Sequence, residues 1–193
     1  IEAQVHYILS LLVERAKRAL QIPVIASLNC CAPGSWTSYA RDIEQAGADA
    51  IEVNLYAVEA DPALSSADVE ARYLDVVRGV RGAVKIPIAV KLSPFFTSLG
   101  HFAARLDEAG ANGLVLFNRF LQPDLSLEKM AAMPTMTLSA PGEALLPLRW
   151  IALLHGRVRA DLAASTGIHD ATGALKQILA GALGTQLRRP PPP

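Results

Sequence analysis

The sequence predicts an α/β fold with a parallel sheet, an incomplete TIM (β/α)8 barrel in which about five βα units are visible. Short apolar runs alternate with amphipathic helical stretches along the 193 residues, a pattern typical of βαβ units. Two near copies, Gln45-Ala-Gly-Ala-Asp49 and Glu108-Ala-Gly-Ala-Asn112, each place a glycine where a helix ends and the chain turns into a strand. A closed barrel needs eight units, so we expect a barrel that lacks strands at both ends.

The elements follow from hydrophobic periodicity. Apolar runs of strand length predict strands at 22–28, 49–55, 86–91, 113–118 and 161–166. Apolar residues at helical spacing predict helices at 1–21, 36–46, 68–84, 102–109 and 171–180. We expect residues 1–182 to form one partial barrel domain. Residues 183–193 end in four prolines and are predicted to be an extended, disordered tail without a strand.

Charge and cysteine content argue against several classes of protein. The chain has 18 basic and 18 acidic residues, so nothing indicates a nucleic-acid surface or a basic membrane-binding face. No apolar stretch reaches transmembrane length, and no signal peptide is apparent at the start. Cys30 and Cys31 are adjacent and are the only cysteines, so neither a disulfide framework nor a metal site is expected. The simplest inference is a cytoplasmic protein in a reducing compartment.

Lys91 is the first candidate functional residue, because it ends the apolar run Ile86-Pro-Ile-Ala-Val-Lys91. In a βα barrel the carboxyl ends of the strands form the active site. A lysine there is costly to bury without a partner. It therefore holds an anionic ligand or a cofactor, or else it snorkels past the strand end into solvent.

The order of three segments resembles the dihydroorotate dehydrogenases. These segments are Pro23-Val-Ile-Ala-Ser-Leu-Asn29, Gly47-Ala-Asp-Ala-Ile-Glu-Val-Asn54-Leu and Ile86-Pro-Ile-Ala-Val-Lys91-Leu-Ser-Pro94. Two further segments, Leu116-Phe-Asn-Arg-Phe120 and Pro147-Leu-Arg-Trp-Ile-Ala152, are similar to the dihydroorotate dehydrogenase-like branch. The resemblance runs from about Ile8 to Ala182. It implies an FMN-dependent flavoprotein with a TIM barrel, an oxidoreductase that acts on a CH–CH bond of a small carboxylate in pyrimidine biosynthesis.

The resemblance also implies roles for individual residues. The expected cofactor-binding residues are Asn54, Lys91, Ser165, Thr166 and Gly167, and the expected substrate-binding residues are Asn29, Asn54 and Asn118. Lys91 would stabilise negative charge on the reduced flavin. The turn at Thr166-Gly167 leads into a helix N-terminus, where backbone N–H groups meet a phosphate. Asp170 is predicted to be the N-cap of that helix, without a ligand role.

Two positions depart from the family. Ala57 stands where the family has a Cys or Ser base, and alanine cannot take a proton. Tyr56 and Glu59 are nearby, but neither is a family base. Arg119, next to Asn118, either binds a substrate carboxylate bidentately or is a solvated loop residue.

Two other functions stay open at this point. A desolvated lysine on a barrel strand also suits a Schiff-base lyase with Lys91 as the nucleophile. The chain would otherwise be a non-catalytic piece of a truncated or split barrel. Unpaired strand edges would favour a homo-oligomer or the docking of a complementing chain.

Overall fold

The computed structural model describes residues 2–29, 36–55, 57–119, 122–135 and 138–187. Within them, six parallel strands form one sheet and two further strands form an antiparallel hairpin. The parallel strands are β1 (Ile25–Asn29), β2 (Ala50–Asn54), β3 (Ile88–Leu92), β4 (Gly113–Leu116), β7 (Asp161–Ser165) and β8 (Gly184–Gln186). The hairpin consists of β5 (Gln122–Ser126) and β6 (Ala131–Thr135).

All the helices except the first, which precedes β1, lie between successive strands of the sheet. The helices are α1 (Glu2–Ala19), α2 (Trp36–Gln45), α3 (Ser66–Ala83), α4 (Leu99–Glu108), α5 (Leu145–Leu154) and α6 (Ala171–Leu179), and a 3-10 turn at Pro141–Ala144 leads into α5. The strand order is β1-β2-β3-β4-β7-β8, so each parallel strand lies beside the next one along the chain. Parallel neighbours need a crossover connection, and the helices supply it. The result is an incomplete TIM barrel, as the sequence predicts.

The core lies between the sheet and its helices. Alternate residues of β3 point toward the helices and are fully buried, namely Ile88, Val90 and Leu92. On the helix side, α4 buries Phe102 and Leu106. Because side chains alternate across a strand, the intervening residues of β3, which include Lys91, line the other, concave face. The two faces of the sheet therefore differ: an apolar face packs on helices and a polar face is left for a site.

Local sequence signals explain where the helices begin and end. Ser65 and Asp68 form a capping box at the start of α3, in which each side chain accepts a hydrogen bond from the other residue's backbone N–H. After α4 the chain turns at Gly110, whose φ of +100° is the left-handed conformation that favours glycine. Gly47 has the same role after α2, with a φ of +92°. These are the two glycines of the repeated Ala-Gly-Ala phrase.

The structure departs from the sequence-based prediction in three places. The predicted tail was wrong at its start, because Gly184–Gln186 forms strand β8 and pairs in parallel with β7. The helix α5 and the hairpin of β5 and β6 were not predicted. The predictions for Cys30, Cys31, Tyr56 and residues 188–193 lie outside the described residues.

Searches of the described residues add two findings. None of the helices has the length and apolar character that a bilayer crossing would need. In the same part of the chain, His, Cys, Asp and Glu side chains form no cluster of three that could hold a metal ion.

Candidate active site at the carboxyl ends of the strands

Three asparagine side chains form a hydrogen-bonded row at the carboxyl ends of β1, β2 and β4. Asn54 Nδ2 donates to Asn29 Oδ1 at 2.6 Å, and Asn118 Nδ2 donates to Asn54 Oδ1 at 2.8 Å. The sheet register pairs Asn29 with Asn54, and the backbone N–H of Asn118 donates to Leu92 O at 2.6 Å. The structure thus brings together the three predicted substrate-binding residues. Each amide carries two N–H donors and an acceptor oxygen, so the row suits the polar edge of a flat heterocycle.

Lys91 lies beside this row and belongs to a charged cluster. Its register partner on β2 is Asn54. Lys91 Nζ donates to Gln186 Oε1 at 2.9 Å and lies 3.7 Å from Glu52 Oε1. The Lys91 side chain is 18% exposed and that of Glu52 is 8% exposed, so this ion pair is largely removed from water. The snorkelling alternative is therefore wrong, since Lys91 points across the concave face to partners on other strands.

Glu52 is the centre of the cluster, and the sequence analysis did not identify it. Its carboxylate accepts from Ser27 Oγ at 2.9 Å and from Gln186 Nε2. A buried carboxylate is tolerated when it is paired and hydrogen-bonded. The sequence did carry one signal: burying an acidic residue in the middle of an otherwise apolar strand costs free energy unless the carboxylate is paired.

Gln186 shows how strongly the sheet curls. In sheet order, four strand spacings separate β2 from β8, which is about 19 Å across a flat sheet at about 4.8 Å per spacing. A hydrogen bond between Gln186 and Glu52 cannot span that distance. The sheet must therefore curve round so that β8 faces β2 and β3 across the concave side.

The end of β7 holds the predicted phosphate turn. Ser165 is buried, and Thr166 has a φ of +80° while its Oγ1 donates to Phe117 O at 3.0 Å. Gly167 has a φ of +76°, and its N–H donates to Ser139 Oγ at 3.0 Å. A Cβ at Gly167 would lie 2.3 Å from Ala144 N, so the backbones of the turn and of the segment before α5 are in close contact. Only glycine fits at this position.

The helix after this turn already has a negatively charged cap. Asp170 accepts from the N–H of Gly173 at 2.7 Å, which confirms the predicted N-cap of α6. The Asp170 carboxylate and the Ser139 hydroxyl each accept a hydrogen bond from a backbone N–H that could otherwise donate to a phosphate. The Asp170 carboxylate would repel the negative charge of a phosphate. The turn after β7 therefore suits a phosphate less well than the amide row and Lys91 suit a polar ring.

Two described residues near the predicted base position, Ala57 and Glu59, do not replace the base. Ala57 is half-buried and has no ionisable group. Glu59 is engaged in an ion pair with Arg72 at 2.7 Å. Tyr56 lies outside the described residues.

Arg119, the second departure from the family, is held beside the amide row. Its Nε donates to Glu143 Oε1 at 3.1 Å, and its backbone N–H donates to Asn118 Oδ1 at 2.9 Å. The side chain is 37% exposed. Arg119 is thus anchored by a carboxylate at the edge of the site, not simply solvated.

Comparisons with known proteins were made on sequence and on structure. No protein-family model matches the chain. It is 32% identical over 176 residues to the dihydroorotate dehydrogenase A (fumarate) of Limosilactobacillus reuteri, which covers 86% of this chain and 56% of the relative. It is 29% identical over 175 residues to the catalytic subunit of dihydroorotate dehydrogenase B (NAD(+)) of Methanothermobacter thermautotrophicus, which covers 86% of this chain and 57% of the relative. This chain is a dihydroorotate dehydrogenase-like protein. It spans about half the length of the curated relatives it matches.

Solved structures support the fold of this dihydroorotate dehydrogenase-like chain. The crystal structure of DHODH from Eimeria tenella in complex with ferulenol superposes with a TM-score of 0.67 at 13% identity, covering 95% of this chain and 58% of that one. The dihydrodipicolinate synthase of Agrobacterium tumefaciens gives a TM-score of 0.62 at 18% identity, covering 93% and 52%. At such low identity these similarities establish the barrel architecture alone.

Proposed function

We propose that this chain provides strand-end residues of an FMN-dependent oxidoreductase that acts on a CH–CH bond of a small carboxylate in pyrimidine biosynthesis. The observation that carries the proposal is the row of Asn29, Asn54 and Asn118 next to Lys91. These residues lie at the end of the sheet where barrel enzymes have their active sites. The relatives that support it are named for dihydroorotate.

The donor set suits the ring of FMN. Lys91 supplies a positive charge, and Glu52 and Gln186 hold its ammonium in one place. The amides of Asn54 and Asn118 supply donors and acceptors beside it. FMN, when bound, would contribute the acceptance of hydride from a substrate C–H bond. The protein would contribute orientation and a cation near the ring, while Asn29 and Asn118 would orient the substrate.

We assign the phosphate of FMN to the turn Ser165-Thr166-Gly167, with the backbone N–H of Gly167 as the donor. That N–H now donates to Ser139 Oγ, so phosphate binding would have to exchange this partner. Asp170 lies at the N-terminus of the next helix and would oppose the phosphate charge. We therefore expect riboflavin, which lacks the phosphate, to bind only somewhat more weakly than FMN. At a site with an open helix N-terminus the loss of affinity would be larger.

The first test is a titration of the 193-residue chain with FMN, followed by quenching of flavin fluorescence. Lys91→Met should weaken binding about tenfold, because it removes a charge-assisted contact. Lys85→Met is the matched control, since Lys85 precedes the same strand at its opposite end and is exposed. Equal affinity of both variants and the wild type would remove Lys91 from the site.

The second test concerns the missing base. General-base catalysis contributes roughly 10²–10⁴-fold, so FMN-loaded protein should oxidise dihydroorotate weakly or not at all. Ala57→Cys should raise the rate, measured as the appearance of orotate absorbance. Ala57→Val is the control, because it changes size without adding a proton acceptor. Rapid turnover by the wild type would show that another group supplies the base.

The Schiff-base alternative has less support. A lysine nucleophile needs an amine that is open to a carbonyl carbon, whereas Lys91 Nζ donates to Gln186 Oε1 and lies 3.7 Å from the Glu52 carboxylate. Borohydride trapping with pyruvate as the probe would separate the two functions. A covalent adduct on Lys91 would favour the lyase.

A further inference from the structure

A pocket of about 470 Å³ adjoins the amide row. It lies above the ends of β3, β4 and β7, where the hairpin and the start of α5 meet, and Asn118 and Thr166 are part of its lining. Its volume falls within the range of small-molecule sites, which is about 300–1,000 Å³. A pocket of this volume has room for a ligand larger than a single six-membered ring.

The net charge of the pocket favours an anion. Among the described residues that line it, Arg119 and Arg149 are positive and Glu143 is negative, so the positive charges outnumber the negative one, unlike at the Asp170 end of the site. Arg119 Nε donates to Glu143 Oε1 at 3.1 Å. Glu143 is itself held in place, since its Oε2 also accepts from the backbone N–H of Ala140. Arg119 is therefore held in place at the pocket, and the planar guanidinium matches a carboxylate in geometry.

The remaining wall of the pocket is apolar and open to solvent. Phe95 is 74% exposed, Leu145 is 66% exposed and Leu146 is 40% exposed, and all three line the same pocket. Phe117, which is buried, forms its inner side. A flat aromatic ring would cover this surface and gain the burial of several apolar side chains. An apolar wall with a cationic rim is complementary to an aromatic acid.

We propose that this pocket binds an extended aromatic carboxylate, a ligand with more than one ring, with its carboxylate at Arg119 and Arg149 and its ring against Phe95. Arg119 and Arg149 then determine specificity, since they add an anion-binding position beyond the amide row. The proposal rests on the proposed function in placing this ligand beside the substrate end of the site at Asn118. Binding of the acid itself does not require FMN.

The test is calorimetric titration of the FMN-free, 193-residue chain with 2-naphthoate as the probe. The uncharged 2-naphthamide has the same rings and should bind at least about tenfold more weakly, as expected for the loss of charge-assisted hydrogen bonds. Benzoate keeps the charge but lacks the second ring, and it should also bind more weakly. Binding of 2-naphthoate should weaken as salt is added, whereas binding of 2-naphthamide should not.

Variants locate the site. Arg119→Gln should weaken 2-naphthoate binding about tenfold, and Arg149→Gln about threefold because it is exposed. Arg157→Gln is the matched control: Arg157 lies in the turn before β7, at the opposite end of the strand, and the affinity should not change. Should Arg119→Gln unfold, the salt dependence and the Arg149 variant still decide. Equal affinity for 2-naphthoate and 2-naphthamide, or no binding of either, would overturn the proposal. Failure of the FMN titration alone would refute only the proposed cofactor.

Discussion

Removing the charge of Glu52 is the sharpest perturbation of the site, because Glu52→Gln keeps the shape of the side chain. At the observed 3.7 Å, the attraction between Glu52 and Lys91 is about 4.5 kcal/mol with an effective dielectric constant of 20. Desolvation of the two charges offsets part of this gain. We expect Glu52→Gln to lower the free energy of unfolding by about 3 kcal/mol, since it leaves a largely buried ammonium without its carboxylate.

A double-mutant cycle separates the pair from its surroundings. Lys91→Met should also destabilise the fold, because it leaves the Glu52 carboxylate buried, and its remaining partners among the described residues, Ser27 and Gln186, are neutral. The double variant removes both charges, so its loss should be smaller than the sum of the single losses by about 2 kcal/mol. A buried pair that is replaced as a whole costs little, whereas a broken one costs much.

The assay is equilibrium unfolding in urea, with the midpoint and the slope fitted separately. Glu14→Gln is the matched control, because Glu14 pairs with Arg18 on the surface of α1 and should change stability by at most about 0.5 kcal/mol. A coupling energy between Glu52 and Lys91 below about 0.5 kcal/mol would refute the argument that the pair organises the concave face.

Two further predictions concern stability away from the charged cluster. Gly167→Ala should cost at least about 2 kcal/mol more in thermal unfolding than Gly156→Ala: both glycines have a positive φ, +76° and +72°, but only the new Cβ at Gly167 meets backbone, 2.3 Å from Ala144 N. Equal losses would show that the contact relaxes freely. Hydrogen bonds from Lys17 and from a backbone N–H lower the pKa of Asp49 below its ordinary 3.8, so its stabilising contribution is present above that pH and disappears as the pH falls through the lowered pKa. The stability difference between wild type and Asp49→Asn should therefore be constant near neutral pH and shrink in acid, and a difference that grows in acid would contradict this.

The parallel strands could be predicted from the sequence because their signals are local. The run that ends at Lys91 is apolar and β-branched, and the strand that ends at Asn54 has the same character. The short strand Gly184–Gln186 could not be predicted, because three residues that begin with glycine carry no periodicity. It forms because β7 offers a free edge beside it, which is a tertiary cause.

The hairpin and the helix after it escaped prediction for related reasons. Pro123 and Pro134 lie within β5 and β6, and proline in a run argues against a strand. Pro147 likewise obscures α5, although proline is tolerated in the first turn of a helix. In each case the local rule is sound, but the position within the element decides the outcome.

The site was predictable in its positions and not in its partners. Asn29, Asn54 and Asn118 could be placed together because parallel strands end at one edge of the sheet. The partner of Lys91 could not, since Gln186 is 95 residues away in sequence and reaches it only when the sheet curls. The contact between Glu52 and Gln186, which are 134 residues apart, has the same origin.

The polar cluster on the concave face links the curvature of the sheet to the chemistry of the site. Gln186 on the edge strand accepts from Lys91 and donates to Glu52, so the same side chain bridges the curled sheet and orients the ammonium. A change that flattens the sheet would break both bonds and leave Lys91 and Glu52 to water. The position of the Lys91 ammonium beside the amide row therefore depends on the barrel-like curvature. We expect a change that reduces the curvature to weaken binding of the proposed FMN at this site.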